Sequence, residues 1–193
     1  MKKGFTLIEV SILFVTFLIV ALLVAPLSID DTQKAKNIII WKNVQQEFAN
    51  IFYAINSSES DQKDSVRTVL STVLNNAVKD NIEAYKISYL NGNFPIITYR
   101  FSDYKLTSAN AVLAIKFFDE PKEDNSIGLL MYDVNGKKGP NVWGKDVFGY
   151  TIYEDKFIPF GQGKSVREQK QDCSKGGTGL YCSNYYLIGG SFD

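Results

Sequence analysis

The sequence predicts an α+β fold: a long N-terminal helix, membrane-spanning in its first half, packed on an antiparallel β-sheet head. Three observations carry that prediction. Residues Phe5 to Ala25 form an apolar run of 21 residues, broken between Val10 and Ala25 only by Ser11 and Thr16. Trp41, Val44, Phe48, Ile51 and Ile55 then recur at alternating steps of three and four, with Lys42, Asn43, Gln45, Gln46, Glu47 and Asn50 between them, the mark of one buried helix face. From Tyr85 onward the apolar residues fall into short runs of strand length separated by turn residues.

In chain order, the apolar run has the length of a bilayer span, roughly 30 Å of helix. Lys2 and Lys3 precede it and Asp30-Asp31 follow, which places the N-terminus in the cytoplasm and the bulk of the chain across a membrane. Apolar and amphipathic halves together, Phe5 to about Asn56, predict one helix on the order of 75 Å long, kinked where Pro26 removes a backbone donor. Asn56 to Asp61 is a polar break, and Val66, Val69, Leu70, Val73, Leu74, Ala77 and Val78 mark a second helix. Strands are predicted over Lys86–Leu90, Ile96–Phe101, Val112–Phe118, Ile127–Tyr132, Tyr150–Tyr153, Lys156–Phe160 and Tyr185–Ile188, with tight turns at Asn91-Gly92 and Glu154-Asp155. Helices first and strands after read as α+β, with one head domain over 30–193.

Composition removes whole classes of chemistry. The chain of 193 residues has no histidine, which excludes Ser-His-Asp and Cys-His catalysis and imidazole acid–base work. Two cysteines cannot form a four-thiolate zinc or iron–sulfur site. Lys+Arg and Asp+Glu are both 21, so net charge gives no drive toward nucleic acid. No carboxylate dyad stands at a fixed spacing, and the chain is not expected to be an enzyme.

Glu9 is the anomaly within the apolar run, since a carboxylate in apolar surroundings costs a few kcal/mol and requires a cation. The segment Lys2-Lys3-Gly4-Phe5-Thr6-Leu7-Ile8-Glu9-Val10 resembles the class III leader of type IV pilins and type II secretion pseudopilins. The resemblance implies a leader over 1–4, cleavage after Gly4 by a prepilin peptidase, methylation of Phe5, and an assembly segment over 5–29 ahead of a pilin-like head. It also supplies the cation: Glu9 pairs with the N-terminal amine of a neighbouring subunit, and Pro26 matches the family's helix break. Copies of itself, other pilins or pseudopilins, the prepilin peptidase and the inner membrane are the implied partners. The implied location is single-pass in the inner membrane before assembly, with the head on the extracytoplasmic side, and an envelope or surface filament afterwards. No nucleic acid is expected unless the filament takes up DNA.

Asp133 to Phe148 is the most distinctive internal segment. It places Gly136, Gly139, Pro140 and Gly144 among four oxygen donors, Asp133, Asn135, Asn141 and Asp146. Asp133, Asn135 and Asp146 are candidate calcium ligands, although Lys137, Lys138 and Lys145 oppose a divalent cation and the spacing is not that of an EF-hand. The alternative is a hydrogen-bonded loop in which Asp133 and Asp146 cap backbone N–H groups over Trp143 and Phe148. The pattern is similar to a loop in the heads of many pilin-like proteins and, less closely, to the calcium loop of major pseudopilins. Cys173 and Cys182 enclose eight residues rich in glycine, so a disulfide is expected in an oxidising compartment and free thiols otherwise. Tyr181, Tyr185, Tyr186 and Phe192 offer either a binding surface for a glycan or partner, or packing of the sheet. Lys164, Arg167, Lys170 and Lys175 form a mild basic run. The functional expectation is a structural subunit of a type IV pilus or type II secretion pseudopilus; the alternative is a pilin-anchored adhesin, or a minor pilin that binds glycan or DNA.

Overall fold

The computed structural model of the chain describes residues 15–16, 32–50, 53, 66–67, 70, 86–95, 103–106, 111–136 and 138–191. Contacts divide the chain into two units, Met1–Lys36 and Asn37–Asp193, and the second contains the sheet. That sheet is a five-stranded antiparallel meander: β1 (Asp103–Leu106), β2 (Val112–Phe117), β3 (Gly128–Asp133), β4 (Val147–Ile152) and β5 (Phe157–Pro159), in spatial order 1-2-3-4-5. Ile115 pairs with Leu130, Leu130 with Tyr150, and Tyr150 with Pro159. The β4–β5 hairpin closes through Glu154-Asp155, with the Tyr153 N–H donating to the Lys156 carbonyl at 2.8 Å.

Strands β2 to β4 carry apolar residues on both sides, one side sealed and the other covered over part of its length. On one face Ile115, Leu130, Tyr132, Phe148, Tyr150 and Ile152 meet helix α1, residues 32–50, through Trp41, Val44 and Phe48. Trp41 is fully buried and stacks on Phe148 at 4.8 Å between ring centres, while Phe48 meets Tyr150 edge-on at 5.5 Å. Each such side chain contributes about 2–3 kcal/mol through burial alone. Polar groups on this face are also tied: the Trp41 indole N–H donates to the Ser183 carbonyl at 2.8 Å, and the Tyr150 hydroxyl to Gln45. On the other face Ala114, Met131 and Val147 pack with Trp143, Phe160 and Leu180. Gly149 in β4 is required there, because a β-carbon would run into the Phe160 ring.

Two short helices finish the unit. Helix α2 (Val166–Asp172) begins with a capping box: the Ser165 side chain accepts from the Glu168 N–H, and Glu168 accepts from the Ser165 N–H at 2.9 Å. Helix α3 (Cys182–Leu187) buries Cys182 to Tyr186.

Several expectations need correction. Among the described residues no helix is long and apolar enough to cross a membrane. The long kinked helix expected over 5–56 is therefore not shown, and a single-pass inner-membrane placement is not supported. The described part of that helix, α1, exposes Lys36, Lys42, Asn43 and Glu47 and buries one stripe against the sheet, as the spacing from Trp41 predicts, whereas the apolar run over 5–25 lies almost wholly outside the described residues. The segment Tyr185–Ile188 is not a strand but lies in α3 and its C-terminal cap, and Lys86–Leu90 contributes only an isolated bridge, Ser88 to Val142. The predicted strand Ile96–Phe101 lies outside the described residues, as do Gly4, Phe5, Glu9 and Pro26.

Candidate functional site

The loop from β3 to β4 is organised by one carboxylate. Asp146 is fully buried, and its Oδ2 accepts from the Asn141 N–H at 3.0 Å and the Asn135 side-chain amide at 3.1 Å. Its Oδ1 accepts from the Val142 N–H at 2.6 Å. Asp133, also fully buried, accepts from the Asn135 N–H at 3.1 Å to form an Asx turn at the end of β3. The backbone closes the loop as well, with the Val134 N–H donating to the Asp146 carbonyl at 2.9 Å. Asp133 and Asp146 thus serve as caps over the buried Trp143 and Phe148.

Burial pushes the Asp146 carboxyl above its ordinary value, against the hydrogen bonds from Val142, Asn141 and Asn135, which act to lower it. The structure therefore brings Asp133, Asn135 and Asp146 together, and Asn141 joins them. Calcium needs six to eight oxygen ligands with open lone pairs. Here three of the roughly four lone-pair positions of Asp146 are taken by N–H donors. Among the described residues no group of three acidic or other ligating side chains is placed to hold a metal. The Oδ1 atoms of Asn135 and Asn141 are buried without a hydrogen-bond partner, but two amide oxygens do not complete a hard-cation shell. The donor set fits backbone amides better than an ion.

The second loop is stapled. Cys173 and Cys182 form a disulfide, with Cα atoms 5.0 Å apart. Just before the ring, Asp172 accepts from groups inside it: the Thr178 N–H at 2.9 Å, the Thr178 hydroxyl at 2.6 Å and the Tyr181 N–H at 2.8 Å. The two loops interlock. Gly144 has a φ of +80°, and a β-carbon there would lie 2.5 Å from the Cys182 sulfur. The Tyr186 hydroxyl donates to the Gly144 carbonyl at 3.0 Å. Residues 86–95 bridge them: Ser88 exchanges backbone hydrogen bonds with Asn141 and Trp143, and Leu90 and Asn91 donate to Thr178 and Gly177.

Of the aromatic residues read from the C-terminal sequence, Tyr185 and Tyr186 are core rather than surface. Tyr185 is 7% exposed and Tyr186 1%, packed in the core beside Phe148, while Tyr181 is half-buried and Phe192 lies outside the described residues. Lys164, Arg167, Lys170 and Lys175 are exposed along α2 and the disulfide loop. What the sequence did not single out is Lys116, the one charged residue in the run Val112–Phe117 of an otherwise apolar strand, on the sheet face away from α1. That break in the apolar run was the available signal. Comparison with known proteins returns no match to a family model, a curated protein or a solved structure.

Proposed function

We propose that the chain is a structural subunit of a filament of the type IV pilus or type II secretion pseudopilus kind, cut after Gly4 and assembled through its apolar N-terminal segment. The observation that carries this reading is the sequence Lys2-Lys3-Gly4-Phe5 with Glu9 as the fifth residue after the cut. Cleavage exposes an amine on Phe5. Glu9 of one subunit and that amine of the next are each costly in apolar surroundings and neutralise one another, so association is favoured and set in register. The structure of the head is compatible with this role: an amphipathic helix on an antiparallel meander, with two of its described loops locked by hydrogen bonds and a disulfide.

The test is mass spectrometry of the N-terminal peptide from the protein made in its own cells. A peptide beginning at Phe5 with one added methyl group is the expected result. A peptide that retains Met1 to Gly4, or one beginning after Ala25, would overturn the proposal.

A further inference from the structure

The sequence contains two Asn-Gly steps, Asn91-Gly92 and Asn135-Gly136, and the fold treats them oppositely. An Asn followed by glycine is open to attack from its own backbone, because no side chain shields the next nitrogen. That nitrogen gives up its proton to solvent base and adds to the Asn Cγ. Ammonia leaves and a five-membered succinimide closes. Water then opens the ring to aspartate, or to isoaspartate, in which the main chain runs through the former side chain. Negative charge gathers on Oδ1 as the nitrogen adds, so a donor at that oxygen assists the step.

Asn91 has the favourable surroundings. It is exposed, and its Oδ1 already accepts from the Asn93 N–H at 3.0 Å. This Asx turn folds the carboxamide along the chain toward the following peptide and sets a backbone donor where charge develops. Gly92 has a φ of +83°, with nothing within 4 Å of where a β-carbon would stand. One restraint has to open: the Gly92 N–H donates to the Tyr89 carbonyl at 3.0 Å. Asn135 has the opposite surroundings. Its Nδ2 donates to Asp146 Oδ2 at 3.1 Å, and its Oδ1 is buried without a hydrogen-bond partner among the described residues. Charge developing on that oxygen would be unsolvated, and the finished carboxylate would face that of Asp146.

We propose that Asn91 is a self-modifying site, converting in the folded chain to aspartate and isoaspartate while Asn135 keeps its amide. The conversion places a new negative charge on a segment tied to the disulfide loop, through the Leu90 and Asn91 N–H groups on Thr178 and Gly177. Isoaspartate also lengthens the main chain inside the turn that Tyr89 and Gly92 close, so this segment carries a covalent record of the time since folding. The inference is independent of the filament reading, since it rests on the head alone.

The experiment incubates the full-length chain in detergent, in mildly alkaline buffer at physiological temperature, beside a reduced and denatured sample. Both Asn-Gly peptides are followed by mass spectrometry, with chromatography to separate aspartate from isoaspartate. In the native sample the Asn91 peptide should change from amide to acid in two separable forms, at least about tenfold faster than the Asn135 peptide. In the denatured sample the two should convert at similar rates. Asn91→Gln, whose longer side chain cannot close the five-membered ring, should abolish the change in its peptide. Retention of Asn91 in the native chain, or native conversion of both residues at one rate, would overturn the proposal. The same change persisting in Asn91→Gln would place it on Asn93 and overturn it equally.

Discussion

Asp146 shows how a single residue can serve a loop at a cost. Its carboxylate holds three donors, yet burial raises its pKa, so the folded protein keeps this proton more tightly than the unfolded chain does. Below the ordinary Asp value of 3.8 both states are protonated. As pH rises from there through the raised folded value, the unfolded chain ionises first and this contribution to stability is lost. Asp146→Asn removes that slope, and it also leaves at least one of the donors facing an amide NH2, at about 1–3 kcal/mol. The variant should therefore be less stable than the parent, by a margin that narrows as pH rises through this window. Urea unfolding midpoints of both proteins from acid to neutral pH check it; a margin that widens would show that ionised Asp146 is net favourable. The exposed carboxyls of Asp124 and Glu168, both held below their ordinary values by local hydrogen bonds, are common to parent and variant and cancel in the difference.

At the scale of elements, legibility in the sequence followed the range of the forces involved. Strands β2 and β3 were legible within a residue or two because apolar runs bounded by turn residues report burial directly. Val166–Asp172 carried its own start signal in Ser165 and Glu168, a local motif that the basic residues around it obscured. Helix α3 was not legible. Tyr185-Tyr186-Leu187-Ile188 has strand-forming residues and is too short for a period, and no side chain caps the helix at Tyr181. Distant partners decide it instead: the disulfide at Cys182 and the Trp41 indole on the Ser183 carbonyl. The Asp146 hub was half legible, since sequence supplies the donors and the acceptors but not which way they point. The staple has a measurable share in the stability of these elements. Replacing both cysteines, Cys173→Ser and Cys182→Ser, should cost about 2–3 kcal/mol for so short a ring. Amide hydrogen exchange should rise not only at Gly177–Tyr181 but also at Trp143 and Ser88, through the interlock at Gly144; exchange confined to the ring itself would show that the two loops open independently.

Across the whole second unit, the sheet works with two unlike faces, one sealed by α1 and one left with an open trough. Trp41 is the principal seal. It stacks on Phe148, lies 4.9 Å from the Tyr150 ring and donates to Ser183, so Trp41→Ala removes packing and a buried hydrogen bond together. The expected loss is about 3–5 kcal/mol, read as a fall in the thermal midpoint. A loss below 1 kcal/mol would mean that α1 is dispensable to the sheet. The same hydrogen bond has a consequence for biogenesis. Trp41 and Ser183 are 142 residues apart, so the helix leaves the ribosome long before its acceptor exists. At ordinary rates of synthesis that interval is roughly 10–30 s, during which Trp41, Val44 and Phe48 have no completed surface to cover them. The apolar stripe of α1 therefore stays uncovered through most of synthesis, and its last buried hydrogen bond forms only once α3 has been made.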